Sequence, residues 1–165
     1  MKHLPIGFQT FKDLITENCT YVDKTDILYN LIKNKGYYFL SRPRRFGKSV
    51  TCSTLATIFS GEKKLFEGLA ISKANYAWPV RPVVRLDLNE IDHDTPEELK
   101  EALKSKFDDI AQAHGFSLTK QLLKAKFTEL ITTLAAKHGS VVVIIDEYDK
   151  PILDHLKDQT KAQAM

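Results

Sequence analysis

The amino-acid sequence predicts an α/β fold built on a mostly parallel sheet, and three observations support that prediction. A short apolar run at 37–40 leads through a basic loop into a segment with helical spacing that reaches Gly61. A second run, 141–145, is β-branched at every position, which is typical of a strand buried on both faces of a parallel sheet. Helical patterns alternate with these runs and with a further strand pattern at 82–88, and such alternation gives parallel strands joined by right-handed crossovers.

The composition is that of a globular chain with one domain. The 165 residues suffice for one hydrophobic core, with 43% hydrophobic residues, 27% charged residues and a formal net charge of +3. So modest a charge does not by itself favour a nucleic acid or a membrane partner. Cys19 and Cys52 lack metal-ligand spacing, and we interpret them as reduced thiols of a cytoplasmic protein. Without an apolar leader or a run of membrane-spanning length, we expect no membrane contact.

Two apolar patterns precede the basic loop. The spacing at 11–15 indicates a short helix or a packed arm, and the pattern at 27–32 indicates a helix that ends near Gly36. Asp23 or Thr25 has the side chain that caps a helix start.

Two longer helices are predicted between the second and third strand patterns. The first has Thr95 at the N-cap, Pro96 at N1 and Glu98 at N3, and it ends at 114–115. The second ends at 138–139. We interpret the charges of both helices as solvated faces.

The loop at 42–49 ends in Gly-Lys-Ser at a predicted helix start, which is the arrangement that binds phosphate in a P-loop. Unpaired N–H groups and the helix dipole both favour an anion there. Gly47 lets the backbone approach the phosphates, Lys48 would contact the β- and γ-phosphates, and the Ser49 hydroxyl would bind Mg²⁺. The predicted nucleotide-binding residues are Arg44, Arg45, Phe46, Gly47, Lys48, Ser49 and Val50.

This loop departs from the usual G-x-x-x-x-G-K-[ST] pattern because Arg42 replaces the first glycine. Pro43 offers no N–H and favours an extended Arg42, so the start of the loop loses part of its anion-binding capacity. Arg44 and Arg45 would compensate with charge. Gly-Lys-Ser also occurs at ordinary basic helix starts, and that interpretation stays open for this element by itself.

The strand at 141–147 ends in two carboxylates, Asp146 and Glu147. Ligand sites of parallel sheets lie at the carboxyl ends of strands, where a P-loop protein places the acid that holds Mg²⁺ through water. Glu147 would then orient and deprotonate an attacking water. Any strand must end in something polar, but together with Gly-Lys-Ser the pair predicts a nucleotide site. Its catalytic residues would be Glu147 and Lys48, and its metal ligands Ser49 and Asp146.

Three motifs carry a family resemblance: Arg-Pro-Arg-Arg-Phe-Gly-Lys-Ser at 42–49, Asp-Glu-Tyr-Asp-Lys-Pro at 146–151 and Tyr-Val-Asp-Lys-Thr at 21–25. In these three motifs the chain resembles the AAA-ATPase-like family of prokaryotic P-loop proteins, whose pattern includes the arginine at position 42. The resemblance implies a three-layer α/β/α P-loop NTPase fold, ATP and Mg²⁺ as ligands, and phosphoanhydride hydrolysis in the intact protein. It also implies a nuclease-like domain or subunit of the PD-(D/E)xK type in the intact protein, and a homo-oligomer. The arginine finger that efficient turnover usually needs would come from a further segment of the protein or from a neighbouring subunit.

We assign the whole chain to the N-terminal part of one such domain, with the Walker A strand, loop and helix at 37–60 and the Walker B strand at 141–147. A glutamate directly after the Walker B aspartate resembles the P-loop branch in which a later strand lies between these two strands. We therefore expect an incomplete sheet core and a longer intact protein. The alternative is the branch in which the two strands are direct neighbours.

Three functions are open at this point. The leading interpretation is an ATP-binding domain that hydrolyses ATP. The second is a nucleotide-dependent switch or scaffold without significant hydrolysis. The third is a nucleic-acid translocase, because the residues at 146–149 resemble a helicase D-E-x-D box, although the sequence has no Gly-x-Gly-Lys-[ST] loop and no evident strand-binding surface.

Overall fold

The computed structural model describes residues 2–34, 36–43, 46–156 and 158–164. The described residues form a mixed α/β structure that divides into two compact units, 1–81 and 82–165, each with its own hydrophobic core. None of their helices has the length and apolar character needed to cross a membrane. The helices are α1 (Phe11–Thr16), α2 (Thr25–Ile32), α3 (Lys48–Phe59), α4 (Pro96–Ala113), α5 (Leu123–His138), α6 (Lys150–Asp154) and α7 (Gln159–Ala164), and the strands are β1 (Val83–Asp87) and β2 (Val142–Asp146).

Aromatic side chains form the centre of the first unit. Phe11 of α1 stacks on Phe66 with ring centroids 4.5 Å apart, and Tyr21 meets the Phe11 ring edge-on at 5.1 Å. Trp78 packs on Phe66 from a centroid distance of 5.1 Å. Such pairs add about 0.5–1.5 kcal/mol each to the gain from burial. The helix predicted from the spacing at 11–15 is confirmed as α1, and its apolar side faces this cluster.

The buried side of α3 is partly polar. Ser53, Thr54 and Thr57 are buried, and Thr54 and Thr57 donate hydrogen bonds to carbonyls four residues earlier in the helix. The Ser53 hydroxyl accepts a bond of 3.0 Å from the backbone N–H of Phe11, which ties α1 to α3. These bonds offset the desolvation of the hydroxyl groups.

The strand predicted at 37–40 is not formed, and that expectation is wrong for the described part of the chain. None of the described strands includes residues 37–40, and all four of these residues are exposed. A buried strand needs neighbours that pair its backbone and cover its side chains, and local sequence supplies neither.

The second unit packs α4 and α5 against β1. The predicted start of α4 is confirmed, because Thr95 Oγ1 accepts a bond of 3.1 Å from the N–H of Glu98 and Pro96 is the first helical residue. The helix charges are not all solvated: Lys126 is buried, and its Nζ lies 2.5 Å from Asp108 Oδ2. The buried core consists of Val84, Leu86, Phe107, Ala111, Leu130 and Leu134.

The two strands predicted at 82–88 and 141–147 are confirmed as a parallel pair, β1 and β2. The expectation that β2 is buried on both faces is wrong for the described residues, because Val143 and Ile145 are 41% and 50% exposed. They share a sheet face with Val84 and Leu86 of β1, which belong to the helix-covered core. The helix pair therefore covers β1 more fully than β2.

Gly61 ends α3 with φ +75°, and a Cβ built there would lie 2.6 Å from Val80 Cγ2. We expect Gly61→Ala to lower the free energy of unfolding by about 1–2 kcal/mol, because left-handed backbone strains an L-residue and Val80 must also move. Urea unfolding measures the loss. Gly115→Ala is the matched control, since Gly115 has φ +74° and open space around its Cβ position. A loss in Gly61→Ala no larger than in the control would contradict the contact with Val80.

Candidate functional site

The Gly-Lys-Ser element starts α3 with a left-handed glycine. Gly47 is the N-cap residue, with φ +76° and ψ +26°, and nothing lies within 4 Å of its Cβ position. Backbone conformation, rather than lack of space, therefore favours glycine here. Glycine offers no side-chain cap, so the N–H groups of the first turn of α3 keep their hydrogen-bonding capacity for an anion.

Lys48 folds back over the loop that precedes it. Its Nζ donates a hydrogen bond of 2.9 Å to the backbone carbonyl oxygen of Arg42. A neutral carbonyl is a weaker partner for an ammonium group than a phosphate oxygen, so an incoming phosphate could take this bond over. The lysine is thereby held at the start of α3, near the open N–H groups.

The other predicted loop residues differ in their surroundings. Phe46 is exposed, whereas Ser49 and Val50 are half-buried in the first turn of α3. Arg44 and Arg45 lie outside the described residues.

Asp146 ends β2 and is only 4% exposed. Its Oδ1 accepts a bond of 3.1 Å from the N–H of Glu147, whereas its Oδ2 is buried and has no hydrogen-bond partner among the described residues. A buried polar atom without a partner costs about 1–3 kcal/mol, so a native structure that retains one calls for an explanation. Carboxylate oxygen is the donor that Mg²⁺ prefers, and Oδ2 fits such an ion bound directly or through water.

Glu147 has a backbone conformation that is unfavourable for its residue type. Its φ is +51°, in the left-handed region, which costs a non-glycine residue about 1–3 kcal/mol. The turn that it opens is closed by a bond of 2.9 Å from the Lys150 N–H to the Glu147 carbonyl oxygen, and α6 begins at Lys150. Strain of this kind often accompanies functional positions.

Sequence reasoning missed Arg85, a charged residue on the sheet face that carries Asp146. Asp87 lies opposite Asp146 in the parallel register, and Arg85 Nη2 is 3.8 Å from Asp87 Oδ2. Arg85 Nε is buried without a hydrogen-bond partner in the described part of the chain. Residues two apart on one strand, and residues paired between parallel strands, share a sheet face. The sheet face that carries Asp146 is therefore charged at its carboxyl end, and the arginine inside an apolar strand pattern was the available signal.

The motif at 21–25 has a structural role in the first unit. Asp23 accepts bonds of 2.9 and 2.7 Å from the N–H and hydroxyl of Thr25, and one of 2.7 Å from the Ala70 N–H. The Thr25 hydroxyl in turn accepts from the Ile71 N–H at 3.0 Å. Desolvation raises the pKa of Asp23, but the bonds from Thr25 and Ala70 outweigh it and lower that pKa below its ordinary value. The motif thus fastens the start of α2 to the turn at Ala70.

These features define a mixed α/β protein with an open, basic helix start in one unit and a desolvated acidic strand end in the other. The family model described as predicted AAA-ATPase matches residues 5–165, so the chain belongs to the AAA-ATPase-like family. The resemblance inferred from the three motifs is confirmed.

The chain is also similar to one curated relative of greater length. It is 42% identical over 158 residues to "Uncharacterized protein in vnfD 5'region" from Azotobacter chroococcum mcd 1. The match covers 94% of this chain and 30% of that relative. No solved protein structure matches the chain.

We expect Glu147→Gly to raise the free energy of unfolding by up to about 1 kcal/mol, because glycine adopts positive φ without strain. Its greater freedom in the unfolded chain offsets part of that gain. Asn18→Gly is the matched control, since Asn18 has φ +50° and asparagine tolerates that conformation, so its gain should be smaller. Urea unfolding compares the variants, and a destabilised Glu147→Gly would contradict the strain at this position.

Proposed function

We propose that this chain is an ATP-binding P-loop domain and that the intact protein hydrolyses ATP with Mg²⁺. The observation that carries the proposal is Asp146 Oδ2, a buried carboxylate oxygen without a hydrogen-bond partner in the described residues, at the carboxyl end of a parallel strand. Membership in the AAA-ATPase-like family supports it. The finer fold that belongs to this function is a three-layer α/β/α domain, with the loop and helix of the Walker A element at 42–60 and the Walker B strand at 141–147.

The phosphate groups of ATP would bind at the start of α3. First-turn N–H groups would donate to phosphate oxygens, and Gly47 leaves the backbone open to them. Lys48 Nζ would exchange the Arg42 carbonyl for the β- and γ-phosphates. Arg44 and Arg45 would add charge to the loop. Phe46 and Val50 would flank it.

The metal ligands would be the Ser49 hydroxyl and, through water, Asp146. Bound Mg²⁺ would neutralise the charge that develops on the phosphate oxygens. Glu147 would orient a water in line with the γ-phosphate and accept its proton while the bond to the leaving ADP breaks. Efficient turnover would also need an arginine finger from a further segment of the protein or from a neighbouring subunit. A nuclease-like domain or subunit is the partner that the family resemblance implies.

A nucleotide-dependent switch without significant hydrolysis is the second candidate, and one observation favours it. Lys48 already has an internal acceptor, the Arg42 carbonyl oxygen, without any nucleotide. Nucleotide binding would exchange this acceptor for phosphate, and such a change of partner is a signal that needs no turnover.

Calorimetry tests the binding of Mg·ATP, which the enzyme and the switch have in common. We expect Lys48→Ala to weaken binding by at least about tenfold, because it removes a charge-assisted bond to phosphate. Lys64→Ala is the control, since Lys64 is an exposed lysine of the same unit outside the loop. Absent binding by the unaltered intact protein, or equal binding by Lys48→Ala, would contradict the proposal.

Glu147→Gln separates the enzyme from the switch. The amide keeps the size of the side chain but cannot accept the proton, so we expect turnover of the intact protein to fall by about 100-fold or more while ATP affinity changes little. Glu90→Gln, an exposed position in the turn after β1, should leave both unchanged. If the unaltered intact protein binds ATP but does not hydrolyse it measurably, the result supports the switch.

A further inference from the structure

The side chains of His93 and Asp154 join the loop after β1 to the end of α6. His93 Nε2 lies 3.0 Å from Asp154 Oδ2, and His93 Nδ1 lies 2.6 Å from the Ile91 carbonyl oxygen. Carbonyl oxygen and ionised carboxylate are both acceptors. The ring therefore makes both hydrogen bonds only as an imidazolium, which donates from each nitrogen.

A second imidazole holds the same two segments together. His155, directly after α6, has its Nδ1 2.9 Å from the Pro151 carbonyl oxygen and its Nε2 3.2 Å from the Asp94 carbonyl oxygen. Its ring meets the His93 ring edge-on, with centroids 6.2 Å apart. The loop at 91–94 and the end of α6 are thus joined by two adjacent contacts.

The charges around His93 favour its protonated form. The bond to the Ile91 carbonyl and then the bond to Asp154 raise the pKa of His93, while burial and the cation of Lys150 act against them. Lys150 also bonds Asp154, and its bond and then that of His93 lower the pKa of Asp154. His155 is a further titratable group that faces His93.

The position of α6 matters for Glu147. The helix spans only Lys150–Asp154, and so short a helix is not stable on its own, so contacts at its ends decide where it lies. Its first N–H, that of Lys150, donates to the Glu147 carbonyl oxygen at 2.9 Å. Fastening the far end of α6 therefore also fastens the turn in which Glu147 takes its unfavourable conformation.

We propose that His93 and Asp154 form a protonation-dependent latch that positions Glu147 by holding α6 against the loop at 91–94. The latch is fully closed below the ordinary histidine pKa of about 6.5 and opens as the pH rises through the raised pKa of His93. On the acid side, it opens only below the ordinary range of Asp154, whose pKa is lowered. The effect on turnover rests on the proposed function, whereas the latch itself does not.

Amide hydrogen exchange of the intact protein tests the latch without any ligand. Between about pH 6 and about pH 8.5, and after correction for intrinsic rates, we expect protection of the Lys150 amide and of α6 to fall by about tenfold. His93→Gln should reduce this pH dependence, because its neutral amide donates to Asp154 at every pH, and His93→Ala should lower protection throughout. His114→Gln is the control, since His114 ends α4 beside His138 in the same unit.

Protection that is independent of pH in the unaltered protein, or unchanged in His93→Ala, would overturn the latch. The pH profile of kcat for ATP hydrolysis then tests the effect of the latch, and we expect His93→Gln to weaken a basic limb that His114→Gln retains. If amide exchange depends on pH as expected but the basic limb of kcat is unchanged in His93→Gln, the positioning of Glu147 is overturned. If amide exchange depends on pH in an intact protein that binds no ATP, the proposed function is refuted and the latch remains.

Discussion

The parallel pairing of β1 with β2 determines where the charged groups of the second unit lie. It sets Asp87 opposite Asp146, and a bond of 3.1 Å from the Leu88 N–H to the Asp146 carbonyl oxygen continues the pairing to the strand ends. The helices α4 and α5 cover the sheet face that carries Val84 and Leu86. The carboxylate of Asp146 lies on the opposite face, beside Asp87, and Asp146 is only 4% exposed. A different register would move these side chains to other positions or to the other face. The chemistry assigned to Asp146 and Glu147 thus depends on this backbone pairing.

The same strand end also contains the least favourable local features of the second unit. Asp146 Oδ2 has no hydrogen-bond partner in the described part of the chain, and the next residue, Glu147, has a left-handed backbone. Each costs about 1–3 kcal/mol. The parallel pairing with β1 and the hydrophobic core under α4 and α5 provide the stable structure that such features need to persist. At Asp146 and Glu147, the features that the proposed function would use are therefore the ones that lower stability.

Local rules predicted the elements that depend on neighbouring residues. The start of α4 at Thr95, the end of α3 at Gly61 and both strand patterns after residue 81 follow from caps, positive φ and β-branched runs, and all are present. Long-range contacts were not predictable in this way. The run at 37–40 needs strand partners, and the bond between His93 and Asp154 joins residues 61 positions apart. Arg44 and Arg45 stay predictions.

The arginine at position 42 is compatible with the rest of the loop for a backbone reason. The usual first glycine suits positive φ or a close approach of the main chain. Arg42 is not among the residues with positive φ, so its side chain causes no strain of that kind. Its contribution to Lys48 comes from the carbonyl oxygen, which every residue type possesses. Pro43 restricts Arg42 to extended conformations and thereby limits the directions in which that carbonyl can point. The Arg-Pro pair therefore does without the flexibility of a glycine and holds a carbonyl oxygen where Lys48 can donate to it.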